Sequence, residues 1–168
     1  MNTQNNVLTA NSQQLTAPGE AELARAANQR LGRSLHVRHL DTGACNGCDW
    51  EIATLLGPVY DVQRLGIDFV ASPRHADLLL VTGVMTRNLR EAARLTYEAM
   101  PAPRLVVAVG ACAISGGVFA QSYASAGGIE STLPVDVYIP GCPPRPEAII
   151  HGLLVAVGKL PGWTGSSD

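Results

Sequence analysis

Residues 105–117 read LVVAVGACAISGG, five apolar residues that run into a glycine and then into Cys112. A short apolar run rich in valine and closed by glycine reads as a β-strand, Leu105 to Val109, which leaves the cysteine just past the strand's carboxyl end. The arrangement recurs on both sides. Upstream, Leu35 to Leu40 alternates as a strand and is followed by Cys45 and Cys48; downstream, Val135 to Ile139 is followed by Cys142. Three cysteine-bearing loops are thereby expected on one rim of one sheet.

The remaining segments supply the other strands and the helices. Ile67 to Ala71 and Asp77 to Val81 read as apolar strands joined by a surface turn, Ser72-Pro73-Arg74-His75, with the second strand central. Helices are expected over 20–31, 48–56 and 88–100. The first is alanine-rich and charged, the second is closed by Gly57-Pro58, and the third presents Leu89, Ala92, Ala93, Thr96 and Met100 on one face. Pro146 at a first helical position opens a last helix to about Val157. Strand and helix alternate, which predicts an α/β fold of the flavodoxin-like kind: a mostly parallel sheet, helices on both faces, and functional groups in loops at the carboxyl ends of the strands. Residues 1–34 read as an N-terminal extension, a polar arm plus the short helix, 35–160 as the single domain, and 161–168 as a tail.

Composition narrows the function classes. The 168 residues are 46% hydrophobic with a mean hydropathy of +0.13, as expected of one globular core. A net charge of −2 with pI near 6.1 offers no basic surface for nucleic acid. The polar start, Met1 to Gln14, has neither a basic segment followed by an apolar one nor paired arginines, so a cytoplasmic location is expected. No apolar segment approaches the roughly 18–20 residues that cross a bilayer. In a reducing compartment four cysteines point to metal binding or thiol chemistry rather than disulfides.

Their spacing is C-x2-C-x63-C-x29-C. Alone, the CNGC of Cys45 and Cys48 suits half a zinc ribbon or a thioredoxin-like redox pair as well as anything else. Zinc ribbons usually repeat the C-x-x-C pair, however, and a redox pair has no need of Cys112 and Cys142 on the same rim. Four thiolates match the usual ligand set of a 4Fe–4S cluster, an anionic group that needs close backbone approach and N–H donors. Gly47, Gly110 and Gly141 beside the cysteines suit that approach, and helices starting near Cys48 and at Pro146 aim positive dipole ends at the same rim.

Four stretches carry a family resemblance: DTGACNGCDWEI (41–52), ASPRHADLLLVTG (71–83), VGACAISGGVF (109–119) and LPVDVYIPGCPPRPEAI (133–149). Together they resemble the small electron-transfer subunit of membrane-bound nickel-iron hydrogenases, over roughly residues 35–158. They are also similar to the 20 kDa or B subunit of respiratory NADH:quinone oxidoreductase, in which two adjacent cysteines replace the C-x-x-C. The chain most resembles the formate hydrogenlyase type, since uptake hydrogenase small subunits carry an export signal and further cysteines.

The resemblance implies one 4Fe–4S cluster held by Cys45, Cys48, Cys112 and Cys142. It places any nickel-iron centre on a hydrogenase-like large subunit, with a ferredoxin-like electron-transfer subunit and membrane subunits as further partners. The complex would lie on the inner face of the cell membrane. It also implies an acidic position at Glu51 suited to proton movement, against which stands a plain first-turn carboxylate. Arg74, in the SPRHAD turn, and Arg145, three residues past Cys142, are candidates for neutralising the cluster, although a pairing of Arg74 with Asp77 explains it equally well. His36, His39 and His151 read as packing or surface residues. A quinone-reductase-like assembly without hydrogen chemistry is the alternative reading.

Overall fold

The computed structural model describes residues 32–158. Five strands form one all-parallel sheet: β1 (Leu35–Asp41), β2 (Ile67–Phe69), β3 (Leu78–Thr82), β4 (Leu105–Val109) and β5 (Val137–Ile139), in the order β2-β1-β3-β4-β5. This is the flavodoxin-like order, with the direction of winding reversed beside β1. As expected, β3 is central: Val37 to Asp41 of β1 lie in register with Leu78 to Thr82, which in turn pair with Leu105 to Val109.

Every residue of β3 and β4 is buried, because alternate side chains point to opposite faces and both faces are covered. On one face Leu78, Leu80, Val107 and Val109 meet Ile52 and Leu55 of helix α1 (Gly47–Leu55) and Ile149 and Leu153 of the last helix. On the other, Leu79, Val81, Val106 and Ala108 meet Ala93 of α2 (Arg90–Glu98) and Ala113 of α3 (Gly110–Ser115). The last helix, α4 (Pro146–Gly158), opens at Pro146 as the sequence predicts.

Four details differ from the sequence reading. The expected helix over 88–100 is shorter, and its buried face is Ala93, Tyr97 and Met100, whereas Leu89 is 38% exposed and Ala92 is also turned out. Between β3 and α2 the chain is joined to a distant segment by an isolated antiparallel bridge between Thr86 and Ser125. The strand expected over 135–139 starts only at Val137, since Asp136 turns its carboxylate to accept the Val106 N–H at 2.8 Å. The strand expected over 67–71 spans only Ile67–Phe69, while the surface turn after Ser72 forms as expected, a single 3-10 turn over Pro73–His75. Finally, the segment after β4, expected as a loop, is helix α3. The helix expected over 20–31 and the tail 161–168 lie outside the described residues. Among the described residues no helix is long and apolar enough to cross a membrane.

Candidate metal centre

Parallel strands deliver every following loop to the same end of the sheet, and that end carries all four cysteines. After β1 the Asp41 carboxylate accepts the N–H groups of Gly43 and Ala44, both at 2.7 Å, while the buried Thr42 hydroxyl donates to the Thr82 carbonyl of β3 at 2.9 Å. These bonds fold the loop back on itself and fasten it to the neighbouring strand end. The chain then passes Cys45 and enters α1 through Asn46, whose left-handed backbone (φ 69°) asparagine tolerates better than most residues. Gly47 begins α1, Cys48 follows, and the half-buried Cys48 side chain packs against the core.

Cys112 lies in α3, directly beyond β4, and Cys142 lies beyond β5. The Gly141 carbonyl accepts the Ala111 N–H at 2.7 Å, so the Cys142 loop is tied to the start of the helix bearing Cys112. Gly110 sits where these segments meet. Its φ is +87°, and a Cβ there would stand 2.6 Å from the Cys48 Sγ and 3.5 Å from the Gly141 carbonyl oxygen. Only a residue without a side chain lets β4 and α1 approach this closely.

The four cysteines are free thiols, with Cys45 and Cys142 exposed and Cys48 and Cys112 partly buried. Burial pushes the Cys48 thiol up to about 11, and Asp49 together with Cys112, Cys45 and Cys142 pushes in the same direction. Cys112 is raised by burial and then by Cys142 and Cys45. The other cysteines lie near enough to Cys48 and Cys112 to disfavour their thiolates, and negative charge gathered there calls for cations to compensate it. Among the described residues no three His, Cys, Asp or Glu side chains are set as ligands of one ion. A cluster several atoms across takes its thiolates at separate corners, so the donor set and the side-chain-free cradle at Gly110 fit such a group.

A polar network that the sequence reading missed lies behind Cys48. His39 Nε2 is 3.0 Å from both Asp49 Oδ1 and Thr82 Oγ1, and the buried Thr82 hydroxyl donates to Asp49 Oδ1 at 2.7 Å. Desolvation by burial lowers the His39 pKa despite Asp49 and Asp41, and Arg38 adds to the lowering. The Asp49 Oδ2 atom is buried without a hydrogen-bond partner. No local signal marks this histidine, because its partners come from another strand and from a helix.

The other candidate residues divide. Glu51, on α1, and Arg145 both act electrostatically on Tyr60, whose hydroxyl donates to Glu147 at 2.5 Å, so these four side chains form a second polar group beside the cysteine rim. The Tyr60 pKa is raised, first by that hydrogen bond. Arg74 is not brought to the rim. Its turn precedes β3 and therefore lies at the amino ends of the strands, where the His75 carbonyl is 3.0 Å from His36 Nδ1. Asp77 is taken by a different arginine: Arg33 binds it through two bonds of 2.7 and 2.9 Å.

The rim also exposes large apolar side chains. Trp50 is 72% exposed, Val118 88% and Tyr123 89%. A cleft of about 540 Å³ lies between Thr86–Leu89 and Tyr123–Ala124.

Comparison with known proteins matches residues 45–156 to the family described as NADH ubiquinone oxidoreductase, 20 kDa subunit. A probable membrane-bound hydrogenase subunit of Pyrococcus furiosus is 51% identical over 130 residues, 77% of this chain and 78% of that protein. Formate hydrogenlyase subunit 7 of Escherichia coli K12 is 44% identical over 83% of this chain, which spans 55% of that longer relative. A chain in the solved structure of the membrane-bound sulfane sulfur reductase, an archaeal respiratory membrane complex, is 36% identical with a TM-score of 0.66, covering 82% of this chain and 72% of that one.

Proposed function

Because the chain belongs to the family of the 20 kDa subunit of NADH ubiquinone oxidoreductase, we propose that Cys45, Cys48, Cys112 and Cys142 hold one 4Fe–4S cluster through which it relays electrons within a membrane-associated oxidoreductase complex of the hydrogenase type. The observation that supports this reading is the convergence of four free thiols from the loops and helix starts beyond three parallel strands, with Gly110 set against Cys48 and Gly141. When bound, such a cluster supplies one-electron transfer. The chain's own residues hold and shield it. Cys48 and Cys112 offer thiolates from partly buried positions, Gly110 leaves room for close approach, Gly47 opens α1 beside the Cys45 sulfur and Pro143, and Gly141 shapes the turn before Cys142. The N-terminal ends of α1 and α4 favour an anion on this rim, and Arg145 adds positive charge. Glu51 is the candidate for moving a proton, standing on α1 beside Tyr60 and Arg145.

Four thiolates saturate one cluster, so electrons enter and leave through partners. The exposed Trp50, Val118 and Tyr123 around the cysteines give a hydrogenase-like large subunit an apolar surface to cover, and that subunit would carry any nickel-iron centre. A ferredoxin-like subunit would serve as the electron partner, and membrane subunits would hold the assembly at the cytoplasmic face. Residues 35–160 would form the cluster domain. The second reading is a quinone-reductase-like complex without hydrogen chemistry, favoured by the family's own description and by the likeness to a chain of the sulfane sulfur reductase structure.

Anaerobic purification of the full chain in its complex tests the central claim. We expect about four irons per chain, visible absorption and a paramagnetic signal on reduction, all lost in Cys112→Ser with the fold retained. A colourless chain with one zinc, or with no metal, would overturn the reading. A large subunit with two C-x-x-C pairs would favour hydrogenase chemistry over the second reading.

A further inference from the structure

We propose that the hydrogen bond from Tyr60 to Glu147 is a brace that fixes the segment bearing Cys45 and Cys48 against the segment bearing Cys142, making Tyr60 and Glu147 positioning residues of the metal centre. The inference rests on the cluster reading above. The sheet by itself ties these two segments poorly. β1 and β5 are separated by β3 and β4, three strand spacings or about 14 Å, and among the described residues β5 is a three-residue edge strand paired only with β4. Cys142 therefore follows one of the two short edge strands of the sheet, its loop held by the bond from the Ala111 N–H to the Gly141 carbonyl.

The brace closes the gap on the helical layer above. α1 and α4 pack on the same face of the sheet and share its core. Tyr60 lies in the turn directly after α1, which is closed by the Asp61 N–H donating to the Gly57 carbonyl at 2.9 Å, and the Tyr60 ring packs on the core that also holds Cys48 and Ala148. Glu147 is the second residue of α4. Between it and Cys142 stand Pro143, Pro144 and Pro146, each with a ring-fixed φ, so motion of Glu147 is transmitted to the cysteine rather than absorbed. The bond joins residues 87 positions apart at 2.5 Å, and the hydroxyl holds the Glu147 carboxyl below its ordinary value, as a charged acceptor requires. Glu51 and Arg145 lie close enough to act on the same hydroxyl, so the brace stands within the charged surroundings of the rim.

The test compares wild type, Tyr60→Phe, Glu147→Gln and the double variant in the anaerobically purified complex. With the cluster loaded, Tyr60→Phe is expected to lose iron to a chelator about tenfold faster and to shift or broaden the reduced-state paramagnetic signal. Glu147→Gln, which keeps a neutral acceptor, falls between wild type and Tyr60→Phe and keeps the test open should the tyrosine variant fold poorly. The double variant should match Tyr60→Phe, because both substitutions remove one bond. Amide hydrogen exchange over residues 140–148 needs no iron and should also quicken about tenfold in Tyr60→Phe. Wild type without iron would end the cluster reading while exchange still judges the brace. A loaded wild type beside a Tyr60→Phe variant with unchanged iron loss, signal and exchange would overturn the brace, even if that variant melted earlier.

Discussion

The two ends of the sheet are built on opposite plans. At the amino ends the charged groups are consumed by the fold: the Asp77 carboxylate, only 6% exposed, accepts two bonds from Arg33 and one from the His36 N–H, and Asp136 accepts the Val106 N–H. At the carboxyl ends Asp41, Thr42 and His39 are also bonded within the fold, but several groups are left over. The cysteine thiols are free, Asp49 keeps a buried oxygen without a partner, and Trp50 and Tyr123 face outward. One end completes itself, and on the proposed function the other is completed by the cluster. Stability and function can therefore be broken separately.

The largest effect should come from Gly110→Ala. A Cβ at 2.6 Å from the Cys48 sulfur, on a backbone with φ +87°, forces apart the two segments that meet there, and the left-handed conformation adds about 1–2 kcal/mol of strain. Iron per chain should fall to background while far-ultraviolet circular dichroism persists; a variant that retains its iron would erase the distinction between the ends.

Asp77→Ala probes the opposite plan. Removing an acceptor of three bonds at a buried site should lower the unfolding free energy by about 3 kcal/mol in urea titrations, with iron per folded chain unchanged. Loss of iron without loss of stability would reverse the comparison.

The smallest effect concerns pH. Burial lowers the His39 pKa in the folded chain below its ordinary 6.5, so in the window beneath 6.5 the unfolded chain binds more protons. The stability tied to His39 is therefore fully present above that window and declines as pH falls through it. His39→Gln should flatten this part of the urea midpoint profile, and an equal slope in both proteins would remove the histidine from the account.

How far the sequence could be read follows from how local each feature is. Strands such as LVVAV and the position of each cysteine past a strand end depend on neighbouring residues, and they were legible. Cys112 was expected in a loop because GACAIS, set between glycines, carries no helical periodicity; burial of Ala113 against the second core face makes it a helix. Arg74 looked close to the cysteines because its turn belongs to the same family pattern, yet the direction of β3 sends that turn to the other end. His39 looked like an ordinary strand residue until β1 was placed beside β3, which brings in Thr82. Tyr60 and Glu147 had no sequence signal linking them at all.

By itself the sequence determined the α/β class, the alternation of strand and helix, and the set of four cysteines, since hydrophobic period, turn chemistry and thiol chemistry are written over a few residues at a time. The tertiary structure alone decided which strands are neighbours, which turns share an end, and which side chains meet across α1 and α4. Those outcomes arise from burying two helical layers on one parallel sheet, a long-range packing condition that no short window of residues contains.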